Sequence, residues 1–187
     1  MTNLAGMLVW MDLEMTGLEP DRHVIVEIAT LITNDDLTII AEGPDLVISA
    51  SPEELAHMGT FVTEMHTSSG LLPQITSSTI SVTEAEAATL AFLREHISEA
   101  GTIPLAGNSI GTDRRFLQEY MAELEAFFHY RNVDVSTIKE LARRWYPESL
   151  VRRTDKASAH RAMDDIRESI AELAYYREHL FVPPPEH

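Results

Sequence analysis

Two carboxylates stand two residues apart in a stretch whose other residues are typical of a buried strand. Asp12 and Glu14 lie within LVWMDLEMTG, and both project to one side because strand side chains alternate between two faces. The opposite face would carry Val9, Met11, Leu13 and Met15. Burying two neighbouring acids is costly, since desolvation and like-charge repulsion both disfavour it, and a divalent cation removes that cost. The pattern predicts a metal site, although a pair of surface acids on an edge strand would have the same spacing.

Composition restricts the ligands that such a site can use. The chain has 187 residues, 44% of them hydrophobic, which is enough for one domain with a sizeable core. Cysteine is absent, so disulfides and thiolate ligands are excluded and a metal must take oxygen or nitrogen ligands. The sequence has neither an apolar run of membrane-spanning length nor a basic leader segment. We therefore expect a cytoplasmic protein with no membrane partner.

The formal net charge of −16 limits the partners. Proteins that hold long nucleic acids usually present a basic stripe, because neutralising phosphates supplies much of the affinity. This chain cannot do so over a large surface, and we expect no binding of long duplex nucleic acid. A short polyanion, held by bound cations and a few basic groups, remains compatible with the charge.

The hydrophobic pattern predicts an α/β sheet with helices on both faces. It begins with an antiparallel arrangement of three strands, over 7–15, 24–33 and 37–41, with 46–49 extending the third or forming another. Helices and strands then alternate: a helix from Ser51, a helix from a Thr83 capping box to about 99, a strand over 103–106, a loop and helix over 108–125, a strand over 133–135, a helix capped by Ser136 to about 145, and a helix over 160–180. The polar segment 59–82 and the basic loop 146–157 carry no predicted element. We expect one domain over 1–180 and a disordered tail over 181–187.

Three further acids lie at predicted helix starts. Asp113 shares the apolar face of its helix, although a first-turn Asp can also simply complement the helix dipole. Asp164 and Asp165 open the last helix, and periodicity barely separates them, so a solvated first turn remains open. His160 precedes them, either as a loop residue without a role or as a base.

Together, these residues are better explained by chemistry than by chance. Two acids on the first strand, one on each of two helices, and the lack of sulfur ligands suit two hard cations such as Mg²⁺ or Mn²⁺. Two such ions about 3.5–4 Å apart stabilise the attacking and leaving oxygens of a phosphodiester displacement. A nearby histidine can take the proton from the attacking water.

Three segments resemble the three motifs of the DEDDh 3′→5′ exonucleases. They are DLEMTG (12–17), NSIGTD (108–113) and HRAMDD (160–165). Four more resemble the members of this family that degrade very short RNA: IVEIAT (25–30), MHTSSGL (65–71), HYRNVDVSTIKELARRW (129–145) and MDDIRESIAELAYYREH (163–179). The resemblance covers residues 8 to 180, and its specificity lies in the combination rather than in any one motif.

The resemblance implies an RNase H-like mixed sheet, in which the antiparallel start is followed by parallel strands, and a homodimer. It also implies that two divalent cations are bound by Asp12, Glu14, Asp113 and Asp165, with Asp12 contacting both. His160 would be the general base. The implied substrates are RNA fragments of a few nucleotides, especially 5′-phosphorylated dinucleotides, released as nucleoside monophosphates.

The resemblance further implies a set of substrate contacts. Leu18 would wedge beside the bases and His66 would contact the 3′ nucleotide. Phe61 stands where the family often has tryptophan, so we expect weaker base stacking but no loss of activity. A cap on the 5′ phosphate would comprise Ser109, Arg131, Ser136 and Thr137, with Tyr130 and Arg131 reaching in from the partner subunit. The alternatives are a loop apolar residue for Leu18, an N-cap for Ser136 and a dimer-core aromatic for Tyr130.

Two other functions are compatible with parts of the pattern. A proofreading or repair DNA exonuclease has the same motifs, and the sugar and length of the substrate would distinguish it. A non-catalytic nucleotide-binding or scaffold dimer would be favoured by loss of one acid or of His160. All five residues are present, which argues against the second alternative.

Overall fold

Five strands form a mixed sheet in the computed structural model, which describes residues 6–147 and 160–182. The strands are β1 (Met7–Met15), β2 (Ile25–Asn34), β3 (Ile39–Val47), β4 (Pro104–Gly107) and β5 (His129–Asp134), in the order β3-β2-β1-β4-β5. The first three pair antiparallel, whereas β4 is parallel to β1 and β5 is parallel to β4. The predicted antiparallel start followed by parallel strands is confirmed.

Helices cover both faces of this sheet. They are α1 (Pro52–Leu55), α2 (Thr60–Ser68), α3 (Leu71–Ser77), α4 (Val82–His96), α5 (Ile110–Tyr120), α6 (Ala122–Phe127), α7 (Val135–Trp145) and α8 (Ala162–His179). Within residues 6–147 and 160–182, none of them is long and apolar enough to cross a membrane.

The alternation of β1 sorts its side chains into two core layers. Val9, Met11 and Leu13 pack on the side covered by α4, α5 and α6. Trp10 points the other way, into the layer beneath α7 and α8, where its indole N–H donates to the Thr33 hydroxyl over 3.0 Å. Asp12 and Glu14 share the parity of Trp10, so their carboxylates emerge on the α8 side of the sheet.

The segment 59–82, for which no element was predicted, contains the helices α2 and α3. Their apolar anchors are few, which explains why the pattern gave no helical signal. Leu71 and Ile75 of α3 are fully buried and pack against Val26 of β2. Tertiary packing at these two positions therefore decides the structure of a segment that is mostly polar.

Two predicted helix caps are each wrong by two residues. The capping box of α4 joins Ser81 and Glu84, not Thr83 and Glu86: the Glu84 N–H donates to the Ser81 hydroxyl over 3.2 Å, and the Ser81 N–H donates to the Glu84 carboxylate over 2.8 Å. The cap of α7 is Asp134, whose carboxylate accepts from the N–H of Ser136 over 3.0 Å. Serine and acidic residues cap equally well, so neighbouring candidates are hard to separate in sequence.

Other boundaries also differ from those predicted. The helix over 108–125 is two helices, broken at Met121 with φ −138°. The strand predicted over 133–135 is β5, which begins at His129, and β3 continues to Val47. Most of the predicted loop 146–157 and the end of the tail lie outside the described residues.

Candidate active site

The candidate catalytic residues gather where three parallel strands end. β1, β4 and β5 run in the same direction, so their carboxyl ends share one edge of the sheet. Asp12 and Glu14 lie near the end of β1, Asp113 lies in the first turn of α5 after β4, and Asp134 ends β5. Ligands of open α/β sheets commonly bind at this edge.

Asp113 is fixed to β1 by a backbone hydrogen bond. The N–H of Leu13 donates to Asp113 Oδ1 over 3.0 Å, and Asp113 is only 6% exposed. The close approach depends on Gly107 at the end of β4, where a Cβ would lie 2.9 Å from the carbonyl oxygen of Met11. The predicted inward orientation of Asp113 is what the structure shows.

Glu14, His160 and Asp165 form one close group. One ligand atom from each of them lies within 4.8 Å of the others. Asp165 is half-buried in this group, whereas the adjacent Asp164 is exposed. Asp12 is half-buried on the same face of β1. The structure thus distinguishes the two neighbouring acids that helical periodicity left unresolved.

The electrostatics of the group favour a bound cation. Burial raises the pKa of Glu14 to about 8, and the negative charges of Asp165, Glu27 and Asp113 add to this effect. Burial likewise raises the pKa of Asp113 to about 7, against the opposing hydrogen bond from Leu13. Carboxylates so short of positive charge, with oxygen donors converging, fit a hard divalent cation.

His66 is buried beside Glu14. Its Nε2 lies 2.9 Å from the carbonyl oxygen of Met15, so this nitrogen carries the proton and donates. Its Nδ1 faces the Glu14 carboxylate at 3.9 Å. Burial lowers the pKa of His66, which keeps the ring neutral near pH 7. The structure therefore places this residue against a candidate metal ligand, with no exposed surface of its own.

A cavity of about 350 Å³ adjoins the His160 side chain. Its lining comprises Phe61, Glu64, Met65, Ser68 and His160. Phe61 projects from α2 with 75% of its surface exposed. An exposed aromatic face beside the candidate base is a suitable platform for a nucleobase.

Leu18 lies in the loop between β1 and β2, and its side chain is 68% exposed. The loop is tied at its base, where the N–H of Val24 donates to the Thr16 hydroxyl over 3.0 Å. The Tyr120 hydroxyl of α5 lies 2.7 Å from the carbonyl oxygen of Pro20 and donates to the loop. Leu18 is therefore an apolar residue held outward on a braced loop.

A second polar cluster lies at the ends of β4 and β5. Asp134 Oδ1 accepts from the N–H of Ser109 over 2.9 Å and from the Ser136 hydroxyl over 2.6 Å. Ser109 has φ 55°, in the left-handed region, and Thr137 follows Ser136 on the exposed surface. Because the Ser136 hydroxyl donates its hydrogen bond to Asp134, it would have to turn away from Asp134 to donate to a bound phosphate.

Tyr130 and Arg131 lie on β5, which is one of the two edge strands of the sheet. Tyr130 is 74% exposed, and the Arg131 guanidinium carbon lies 5.6 Å from its ring centroid. β4 separates this strand from β1. Both side chains are thus presented on the rim of the molecule.

Sequence reasoning missed two polar groups that support this edge. Glu27 of β2 is fully buried and pairs with Arg161, which precedes α8. Glu172 of α8 accepts from the Asn108 amide over 3.2 Å and pairs with Lys139 of α7 over 2.9 Å. The available signal was an acid within an otherwise apolar strand or helix face, which points to a buried partner but does not name it.

Comparison with known proteins places the chain in a family. The exonuclease family model matches residues 9–173. The chain is 58% identical over 178 residues to an oligoribonuclease of Corynebacterium diphtheriae, covering 95% of this chain and 85% of that one. It is 59% identical over 173 residues to an oligoribonuclease of Escherichia coli K12, covering 92% of this chain and 94% of that one.

Solved structures of exonuclease I show the same fold. A zinc-bound complex of the Escherichia coli enzyme with single-stranded DNA superposes with TM-score 0.64 at 14% identity, over 93% of this chain and 41% of that one. Exonuclease I of Methylocaldum szegediense gives TM-score 0.63 at 19% identity, over 93% and 41%. This chain spans about two fifths of those chains, and the likeness confirms the expected RNase H-like fold. By its sequence, the chain belongs to the oligoribonuclease family of exonucleases.

Proposed function

We propose that the protein is a cytoplasmic, metal-dependent 3′→5′ exoribonuclease, built as one domain over residues 1–180. Its substrates are RNAs of a few nucleotides, especially 5′-phosphorylated dinucleotides, and its products are nucleoside 5′-monophosphates. The observation that carries the proposal is the convergence of Glu14, His160 and Asp165 within 4.8 Å, beside an Asp113 that is hydrogen-bonded to the same strand.

Four acids would hold two divalent cations, Mg²⁺ or Mn²⁺: Asp12, Glu14, Asp113 and Asp165. Their oxygen donors and the raised pKa values of Glu14 and Asp113 suit hard cations, which would keep these carboxylates ionised. When bound, the cations would stabilise the negative charge that develops on the attacking and leaving oxygens.

His160 acts as the general base. A ring nitrogen takes a proton from water as the water oxygen bonds to the phosphorus of the last phosphodiester. The bond from that phosphorus to the 3′ oxygen of the preceding nucleotide breaks, and this oxygen then acquires a proton. The terminal nucleotide leaves with the phosphate on its 5′ side, so the product is a 5′-monophosphate.

The bases and the 3′ nucleotide are held on the α2 side of the site. Phe61 stacks on a base at the cavity that it shares with His160, and Leu18 wedges beside the bases from its braced loop. We expected His66 to contact the 3′ nucleotide. Because its side chain is fully buried against Met15 and Glu14, it instead acts there indirectly, by supporting Glu14 and the end of β1.

Substrate length is limited by residues at the ends of β4 and β5, which bind the 5′ end of the RNA. Ser109, Ser136 and Thr137 gather at the ends of β4 and β5, which lie one and two inter-strand spacings, or about 5 and 10 Å, from β1. Together with Arg131 they cap the 5′ phosphate, with Tyr130 and Arg131 supplied by the partner subunit of a homodimer. A net charge of −16 repels long nucleic acids that could otherwise approach.

A length series tests this function. Turnover is measured on 5′-phosphorylated RNAs of two to about ten nucleotides with Mg²⁺ or Mn²⁺, with matched DNA as the sugar control and the His160→Ala variant as the blank. We expect fast cleavage of the dinucleotide, a steep fall with length and little activity in the variant. Equal rates at all lengths would refute the proposal that binding of the 5′ phosphate limits the length of the substrate. The absence of metal-dependent cleavage at every length would refute the exonuclease itself.

A further inference from the structure

We propose that Glu27, a residue of β2 outside the candidate metal-binding set, positions both His160 and Asp165 by capping the start of α8 and clamping Arg161. This inference rests on the proposed function, because it assigns a role in the reaction that His160 and Asp165 carry out. Glu27 is a positioning residue, acting through its neighbours rather than on the substrate.

The first observation is that α8 has no cap of its own. Arg161 occupies the N-cap position and makes no side-chain capping bond, whereas α1 and α4 each begin with a serine–glutamate capping box. The N–H of Ala162, the first residue of α8, instead donates to Glu27 Oε2 over 3.1 Å. A carboxylate at this end also complements the helix dipole.

The second observation is that the other Glu27 oxygen holds Arg161. Oε1 accepts from Arg161 Nε over 2.8 Å and lies 2.6 Å from Nη2. Nη2 also donates to the Gln74 side chain of α3 over 3.3 Å. One carboxylate, fully buried, thus fixes both the backbone and the side chain at the start of α8, and charge-assisted bonds of this type are strong and directional.

The third observation is that Arg161, which Glu27 holds, lies between two candidate catalytic residues in the chain. His160 directly precedes Arg161 and has φ +44°, a conformation that a non-glycine residue keeps only when its surroundings enforce it. On the other side, the N–H of Asp165 donates to the Arg161 carbonyl oxygen over 3.0 Å. A shift of Arg161 would therefore move both residues.

The fourth observation connects the clamp to the first strand. Glu27 lies directly opposite Glu14 in the β1–β2 register, so the two side chains rise side by side from the same face of the sheet. Glu27, the strand partner of the candidate metal ligand Glu14, therefore also fixes the position of α8, which carries the candidate ligand Asp165. This arrangement explains a buried acid that the reaction itself does not use.

The Glu27→Gln variant tests the proposal. The amide oxygen can still accept from Ala162, but the charge-assisted clamp on Arg161 is lost. We expect kcat on the 5′-phosphorylated dinucleotide to fall by about 10–100-fold with KM within about twofold, as is typical when the support of a catalytic group is removed. Mn²⁺ binding, measured by calorimetry, should weaken as Asp165 loses its fixed position.

The matched control is Glu42→Gln. Glu42 of β3 pairs with Arg167 of α8 over 2.7 Å on the exposed surface. This change therefore also removes an ion pair between the sheet and α8, but one that lies more than one helical turn beyond the start of the helix. We expect kcat, KM and Mn²⁺ affinity to stay within about twofold of the wild type. An equal loss of kcat in both variants would mean that the ion pairs merely stabilise the fold.

A double variant and two substitutions of Arg161 test the same positioning role. Combining Glu27→Gln with His160→Ala should lower kcat by much less than the product of the single effects, because both changes impair the same base. If Glu27→Gln does not fold, Arg161→Met should show the loss and Arg161→Lys a partial recovery. A wild type without activity on any RNA refutes the proposed function, whereas an active wild type matched by Glu27→Gln refutes only the positioning role.

Discussion

The backbone N–H of Leu13 donates a hydrogen bond to the carboxylate of Asp113 over 3.0 Å, across a separation of 100 residues. This bond joins the strand that carries Asp12 and Glu14 to the helix that carries the third acid. An amide at position 113 can accept the same bond through its oxygen, but it carries no charge. The acid's structural and metal-binding contributions can therefore be separated by one substitution.

We expect Asp113→Asn to fold and to lose more than about 100-fold in metal-dependent turnover, since even indirect supports of a metal site are worth 10–100-fold. Initial rates on the dinucleotide, with circular dichroism as the check on folding, measure this. The control is Asp164→Asn, which alters an exposed acid and should leave the rate unchanged. An active Asp113→Asn enzyme would remove Asp113 from the metal site.

The metal-free protein should become less stable as the pH rises from about 6.5 to 9. The pKa of Glu14 is raised to about 8 and that of Asp113 to about 7, so from pH 6.5 to about pH 8 the folded state binds more protons than the unfolded state. Stability contributed by a raised carboxyl pKa is present below the unfolded pKa and is lost as pH rises through the folded value. The lowered pKa of His66 affects the stability only at more acidic pH, below the ordinary histidine pKa of about 6.5.

Thermal unfolding in a chelating buffer should show this as a fall in Tm of more than about 5 °C across that range. Added Mn²⁺ should raise Tm more at pH 9 than at pH 6.5, because the ionised carboxylates bind it. A variant with both Glu14→Gln and Asp113→Asn should show a much shallower fall. A flat Tm profile in the wild type would mean that the two carboxyl groups are already ionised without metal.

Residues close together in the chain were the predictable part of this site. The two-residue spacing of Asp12 and Glu14 was enough to place both on one face of β1. Helical periodicity predicted that Asp113 lies on the buried face of its helix. These inferences use only the geometry of a single strand or helix. Three of the four candidate metal ligands could therefore be found from local geometry alone, whereas Asp165 was assigned only by the resemblance to the exonuclease motifs.

Contacts between distant segments were not predictable in this way. Glu27 caps α8 from 135 residues away, and no local pattern marks the Ala162 N–H as its partner. The choice of Asp165 over Asp164 depends on how α8 sits on the sheet, which periodicity left open. The helices α2 and α3 lie in a polar segment whose hydrophobic pattern predicts no helix. They form because a few of their side chains are buried against the rest of the protein.

Phe61 should contribute to substrate binding rather than to the chemical step. Its ring is 75% exposed and lines the cavity next to His160, so truncation removes a stacking surface without altering the acids. We expect Phe61→Ala to raise KM for the dinucleotide by about tenfold with kcat within about threefold, and Phe61→Trp to lower KM.

Steady-state kinetics on all three proteins measure this effect. Trp145, which is 70% exposed on α7, gives the matched control, because Trp145→Ala removes an exposed aromatic residue outside the cavity and should leave KM unchanged. A drop in kcat with constant KM in Phe61→Ala would assign the ring to the transition state and contradict a purely stacking role.

Arg131 should recognise the 5′ phosphate from the partner subunit. Its guanidinium is exposed on the edge strand beside Tyr130, and a hydrogen bond to a charged group is worth about 1.5–3 kcal/mol, or roughly 10–100-fold. Arg131→Ala should therefore raise KM by that factor for a 5′-phosphorylated dinucleotide but not for one with a 5′ hydroxyl. Arg144→Ala, which removes an exposed arginine of α7 paired with Glu140, should change neither. Mixing the two variants tests whether Arg131 acts across the dimer. If it does, equal mixing of Arg131→Ala and His160→Ala subunits should restore full function at about a quarter of the sites. No recovery after proven subunit exchange would place Arg131 in the site of its own chain.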